Sequence, residues 1–153
     1  MQHLERGPIN NRLNIPITGY KSIIEYSTQN RSIWNNFISK SKNALFQHKR
    51  EYLEYHKDRF MDNSLLFMKS NNVQCLLPAN LKDNKLFSHN GVTFGGFLIA
   101  STLKQKEILL MFDELIAYAQ NKSISKIVFR PRRIYTTNIF RKKFSTHFLK
   151  TML

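Results

Sequence analysis

Residues 102–129 read TLKQKEILLMFDELIAYAQNKSISKIVF. Ile108, Met111, Phe112, Leu115, Ile116 and Ala119 recur at intervals of three and four, which gathers them on one face of an α-helix. Thr102 and Gln105 stand at capping-box spacing ahead of that stripe and predict where the helix begins. After the polar Asn121-Lys122-Ser123 connection, ISKIVF at 124–129 reads as a buried strand, because β-branched and aromatic residues suit a pleated surface. A helix leading into a buried strand predicts a right-handed crossover between parallel strands. Ligands of such sheets bind beyond the strand C-termini, where neighbouring strands part.

Upstream, residues 64–68 and 73–77 are apolar runs separated by Lys69-Ser70-Asn71-Asn72, a composition suited to a hairpin turn. Pro78 and Asp83-Asn84 interrupt the pattern before residues 85–88, read as a third strand returning beside the second. Nearer the N-terminus, residues 21–26 (KSIIEY) predict a strand, and residues 31–41 a helix with Ile33, Trp34, Phe37 and Ile38 on one face. A second helix is predicted over 47–59, with Leu53, His56 and Phe60 on one side and Tyr52 and Tyr55 beside them. Its charged residues, Lys49, Arg50, Glu51, Glu54, Lys57 and Arg59, are expected to form a solvated outer face. The whole reads as an α/β (α+β) domain: a mixed sheet with an antiparallel meander and one crossover. Residues 1–19 are expected to be a flexible leader, 20–130 the domain, and 131–153 an atypical basic tail.

The chain has 153 residues, 42% of them hydrophobic, which is enough for one core. Cys75 is the single cysteine, so it has no disulfide or metal partner of its own kind, and its apolar strand predicts a buried, inert thiol. No metal is expected. Neither an apolar run long enough to cross a membrane nor the apolar core of a signal peptide is present, and a cytoplasmic location is expected. The formal charge is +14, but residues 130–153 supply seven basic and no acidic residues, leaving 14 − 7 = +7 for residues 1–129. A moderate excess of that size does not require a polyanionic partner.

Four segments carry a family resemblance: SIWNNFISKSKN (32–43), EYLEYHKDRF (51–60), CLLPAN (75–80) and FSHNGVTFGGFLI (87–99). They are similar to GNAT-like acyltransferases related to FemAB-type peptidyltransferases of bacterial cell-envelope contexts. The last segment is the most specific, since Ser88, His89, Gly91, Thr93, Phe94, Gly95 and Gly96 resemble the family's Ser-His-x-Gly-x-Thr-aromatic-Gly-Gly pattern. The resemblance runs over residues 21–130. It implies a partial GNAT-like acyltransferase fold and attack by an amine on acyl-CoA, or on an aminoacyl-tRNA ester as in the Fem relatives. The implied acceptor is an amine-bearing envelope or sugar precursor; no oligomeric state follows.

On this resemblance His89 is the candidate catalytic residue, as general base or to orient a substrate carbonyl, the alternative being a strand-end histidine that fixes the glycine turn. Gly91, Thr93, Phe94, Gly95 and Gly96 are the candidate donor- and substrate-binding residues, although a bulge or tight bend needs glycine equally. The family's acetyl-CoA loop, Gln or Arg-x-x-Gly-x-Gly or Ala between the fourth strand and the long helix, is missing, and residues 91–96 are read as its equivalent. Tyr52, Tyr55, His56 and Trp34 are expected to be packing residues.

After the strand at 124–129 the family continues with a Pro-Tyr-Ile-Tyr-His-Lys-Tyr-like stretch, where this chain has RPRRIYTTNIFRKKFSTHF from Arg130. Back-translated with synonymous codons and shifted by one base, the tail can read Pro-Tyr-Ile-Tyr-His-Lys-Tyr. The expectation is a frameshifted tail, a fold lacking its last helix and strands, and little activity in isolation. The competing expectation is a small basic nucleic-acid-binding protein whose residues 130–150 contact phosphates.

Overall fold

The computed structural model describes residues 22–55 and 57–130. The predicted leader, His56 and the tail from residue 131 onward lie outside the described residues.

Among the described residues thirteen elements follow one another. β1 (Ser22–Glu25) leads through the 3₁₀ turn Thr28–Asn30 into α1 (Arg31–Lys40). A second 3₁₀ turn, Phe46–His48, precedes α2 (Arg50–Tyr55). Then come β2 (Met61–Asp62), β3 (Leu65–Lys69), β4 (Asn72–Leu77), β5 (Asn80–Lys82), β6 (Lys85–Phe87) and β7 (Leu98–Ile99). The long helix α3 (Gln105–Asn121) and β8 (Lys126–Val128) end the described part.

The strands form two four-stranded sheets, ordered β1-β3-β4-β7 and β2-β5-β6-β8. The first is antiparallel throughout, while the second contains the parallel pair β6 and β8 on either side of the crossover. Two hairpins organise the sheets, and each turns on two residues in the left-handed region: Ser70 (φ 48°) and Asn71 (φ 63°), then Asp83 (φ 50°) and Asn84 (φ 54°). Paired positive φ values match the right-handed twist of the strands they join, and Asn and Asp tolerate that conformation best.

The strand at Lys85–Phe87 does not return beside residues 73–77 as the sequence suggested. It pairs with β5, a three-residue strand that the sequence pattern did not disclose. Pro78 has no N–H with which to continue a ladder, so the run β4 to β5 crosses from the first sheet to the second there. The opposite run, β6 to β7, crosses back.

The predicted helix over 47–59 is also shorter and broken, because Lys49 is extended (ψ 149°) between the 3₁₀ turn and α2. Side chains from α1 stabilise the break: Trp34 Nε1 donates to the His48 carbonyl at 2.8 Å, and Asn35 Oδ1 accepts from the Arg50 amide at 3.0 Å. Arg50 itself is buried rather than part of a solvated face. On α1, Trp34 and Ile38 are buried whereas Ile33 is exposed.

Alternation along β3 and β4 divides the interior in two. Leu65, Phe67, Cys75 and Leu77 face Met111, Phe112 and Leu115 of α3. Leu66 and Leu76 face the opposite way, towards Trp34, Ile38 and Leu53 of α1 and α2. The first sheet is thus covered on both faces. Among the described residues no helix is long and apolar enough to cross a membrane.

Candidate active site

Between β6 and β7 the chain makes a ten-residue excursion, residues 88–97, opposite only residues 78–79 of the other run. The excursion starts at the C-terminal ends of the parallel strands β6 and β8, where the topology places ligands. All five candidate binding residues and His89 lie on it.

Its two ends are tied to the end of β8. The Ser88 amide donates to the Val128 carbonyl at 2.9 Å, the Arg130 amide to Ser88 Oγ at 2.7 Å, and the Gly95 amide to the Arg130 carbonyl at 2.9 Å. Asn43 clamps the far end with both arms of its amide. Its Nδ2 donates to the Phe97 carbonyl at 2.8 Å, and its Oδ1 accepts from the Ile99 amide at 3.0 Å. Phe97 anchors this end in the core, with ring centres 4.6 Å from Phe112, 5.2 Å from Phe67 and 5.2 Å from Phe129.

His89 is buried and sits at φ 52°, a conformation in which a histidine carries about 1–2 kcal/mol of backbone cost. Its Nδ1 accepts from the Gly91 amide at 3.1 Å, and its ring lies 5.6 Å from that of Phe60. The neighbouring Asn90 amide donates to Oδ1 of buried Asn80 at 2.8 Å. With Nδ1 accepting, a neutral ring carries its proton on Nε2, which suits it to donate to a carbonyl more than to take a proton.

The glycines differ in surroundings. A Cβ on Gly95 would stand 1.8 Å from the Ser88 carbonyl oxygen, so backbone fills the space that a side chain would need. On Gly91 its nearest neighbours would be the rings of His89 and Phe60, at 2.9 Å. Gly96 has φ 94°, a region that other residues rarely enter. Thr93 and Phe94 form the exposed tip. Behind them His48 Nε2 bonds the Phe94 carbonyl at 2.9 Å, while its Nδ1 accepts from the Leu45 amide at 2.9 Å, which fixes the proton on Nε2. Val92 packs into the core beside Trp34 and Leu98.

Sequence reasoning did not single out Asn43, His48, Asn80 or Arg130 as holding this segment. Asn43 and Asn80 sit inside the quoted resemblance segments, but nothing in one sequence says that an asparagine will bridge to a strand more than fifty residues away. Residues 91–96 are not the loop between the last antiparallel strand and the helix, as the sequence had suggested. β7 and residues 100–104 lie between them and α3.

That connection, Ala100-Ser101-Thr102-Leu103-Lys104, contains no glycine and is closed by a Leu103 amide to Ala100 carbonyl bond of 3.1 Å. The helix cap is Lys104 and not Thr102. Glu107 Oε2 accepts from the Lys104 amide at 3.0 Å, and its Oε1 pairs with Lys69 Nζ at 3.1 Å. The Lys104 amide, with Lys69, holds the Glu107 carboxyl below its usual range. A donor pyrophosphate is therefore a poor fit here: its place at the helix start already holds a carboxylate, and no glycine lets it approach the backbone.

Other titratable groups lie elsewhere. Burial pushes the Cys75 thiol well up, as expected for an inert core cysteine. Burial, with Asp113 next to it, pushes Glu114 up to about 7. Glu114 lies about 200° around α3 from Phe112, the residue that touches Phe97, and so faces away from the excursion. Among the described residues no cluster of His, Cys, Asp and Glu could hold a metal ion.

No family model and no curated protein matches the sequence. Solved structures do. The ribosomal-protein-S18-alanine N-acetyltransferase of Escherichia coli superposes with a TM-score of 0.58 at 6% identity, over 81% of this chain and 75% of its own. The ribosomal-protein-alanine N-acetyltransferase of Brucella melitensis biovar Abortus 2308 gives 0.54 at 13%, over 82% and 88%. AAC(6′)-Iy, solved with the bisubstrate analogue CoA-S-monomethyl-acetylneamine, gives 0.50 at 13%, over 82% and 87%. The described residues therefore have the mixed α/β fold of GNAT acetyltransferases.

Proposed function

We propose that the chain transfers an acyl group from an activated donor to a primary amine, as an N-acyltransferase. One observation carries this reading: in a fold shared with N-acetyltransferases, the 88–97 excursion sits at the C-terminal ends of the parallel strands. In such a reaction the amine nitrogen attacks the acyl carbonyl, the C–N bond forms, and the donor's thiol or ester oxygen leaves with a proton. The protein's part is to orient the acyl group and to aim dipoles at the developing oxyanion. Thr93 and Phe94 meet the substrate at the exposed tip, and Gly91, Gly95 and Gly96 set the backbone path. His89, whose Nδ1 accepts from the Gly91 amide, is the residue assigned to orient the acyl carbonyl.

The acceptor we favour is an amine-bearing sugar or envelope precursor. AAC(6′)-Iy with its acetylneamine analogue supports an amino sugar. The donor is acyl-CoA or, in the FemAB-type reading, an aminoacyl-tRNA ester. The reaction belongs in the cytoplasm, where both donors are found. The nucleic-acid alternative rests on residues 130–150, of which only Arg130 is described, and its backbone is engaged with Ser88 and Gly95.

The test incubates the full chain with acetyl-CoA, or with charged tRNA, and a panel of amino sugars, and follows acylated product by mass spectrometry. Product is expected, falling about a hundredfold in His89→Ala. No product from either donor would sink the reading. Undiminished turnover in His89→Ala would make His89 structural.

A further inference from the structure

We infer that Glu107 is a specificity-determining residue that closes the start of α3 to a donor's pyrophosphate. The inference rests on the acyl-transfer reading above and deepens it by stating how the donor is held. Its basis is geometric. The carboxylate is bound at both oxygens, Oε2 by the Lys104 amide at 3.0 Å and Oε1 by Lys69 at 3.1 Å. The Glu107 amide is turned inward to the Lys104 carbonyl at 3.0 Å, an acceptor it shares with the regular helical bond of the Ile108 amide, which withdraws one first-turn donor from any bound anion. A phosphate placed here would meet a like charge and lose the Lys104 and Glu107 amides, in a turn whose residues all carry side chains.

Two contributions oppose this, and both are weaker. Lys104 and Lys106 add positive charge close by, but at an exposed surface where salt screens it. Lys69 is already paired with Glu107 at 3.1 Å. An acyl-CoA donor is then held without a pyrophosphate contact at the start of α3.

The experiment compares CoA with pantetheine, which lacks every phosphate, by calorimetric titration of the full chain and of Glu107→Gln. Glutamine keeps an oxygen for the Lys104 amide, so α3 keeps its cap while the charge is lost. For the unmodified chain the two ligands are expected to bind within about threefold of each other, a comparison that needs no variant. In Glu107→Gln, CoA is expected to gain about tenfold and pantetheine nothing. If the unmodified chain already binds CoA far more tightly than pantetheine, or if Glu107→Gln leaves CoA unchanged, the inference is overturned while acyl-CoA transfer stands. Binding of neither ligand by either protein overturns it together with the acyl-CoA form of the proposed function.

Discussion

The Arg50 guanidinium carbon lies 3.5 Å from the centre of the Tyr26 ring, inside the protein, and 5.0 Å from that of Trp34. Its nitrogens pair with Glu54 at 3.3 Å and with Asp62, and donate to Ser64 Oγ at 3.3 Å. Asp62 in turn accepts from the Ser64 amide and hydroxyl. One cation on α2 thereby joins the residue after β1, α1, β2 and the residue before β3. Arg50→Met should cost about 3 kcal/mol, near the lower end for a broken buried pair because both carboxylates can still reach water. Arg50→Lys should recover only part of this, since an ammonium cannot stack and fork at once. Urea unfolding of both variants measures it; a loss under about 0.5 kcal/mol for Arg50→Met would show the network to be dispensable.

The two glycines that open and close the excursion should respond differently to the same methyl group. Gly95→Ala drives a Cβ into the Ser88 carbonyl, which belongs to the backbone and cannot turn aside, so a loss above about 3 kcal/mol is expected. Gly91→Ala meets two aromatic side chains that can tilt, and should cost about 1 kcal/mol. Thermal denaturation of the pair checks the order, and equal losses would contradict it.

Glu114 should make stability depend on pH. Its carboxyl is raised to about 7 by burial, above the unfolded value, so the folded state holds the extra proton. Its stabilising contribution is complete below the unfolded value and is lost as pH rises through about 7. Among the described residues its buried Oε1 has no hydrogen-bond partner, which adds to the cost of charging it. Glu114→Gln and the unmodified chain should therefore unfold at similar urea concentrations at pH 5, with the variant clearly ahead at pH 8. Parallel profiles would mean that Glu114 titrates normally.

The hairpin between β3 and β4 leaves room for improvement. Ser70 occupies φ 48°, where asparagine is at less cost than serine. Ser70→Asn should add about 0.5 kcal/mol, read as a higher urea midpoint at unchanged slope. A lower midpoint would point to a lost serine contact.

Sequence by itself determined the parts of this protein whose signal is local. The α3 stripe needs only 3.6-residue periodicity, and the 70–71 and 83–84 turns only residues that accept positive φ. Tertiary structure decided what depends on partners far along the chain. The charged look of residues 49–59 hid Arg50 because Tyr26, Asp62 and Ser64, which make its burial tolerable, come from other elements. The NLK strand escaped notice because three residues carry no period, and only pairing with β6 makes them a strand. Likewise the glycines of the excursion were legible as letters, but that Gly95 is filled by Ser88 and held by Arg130 follows from packing. Hydrogen bonds and excluded volume act between atoms brought close by folding, and a linear sequence does not record which residues those will be.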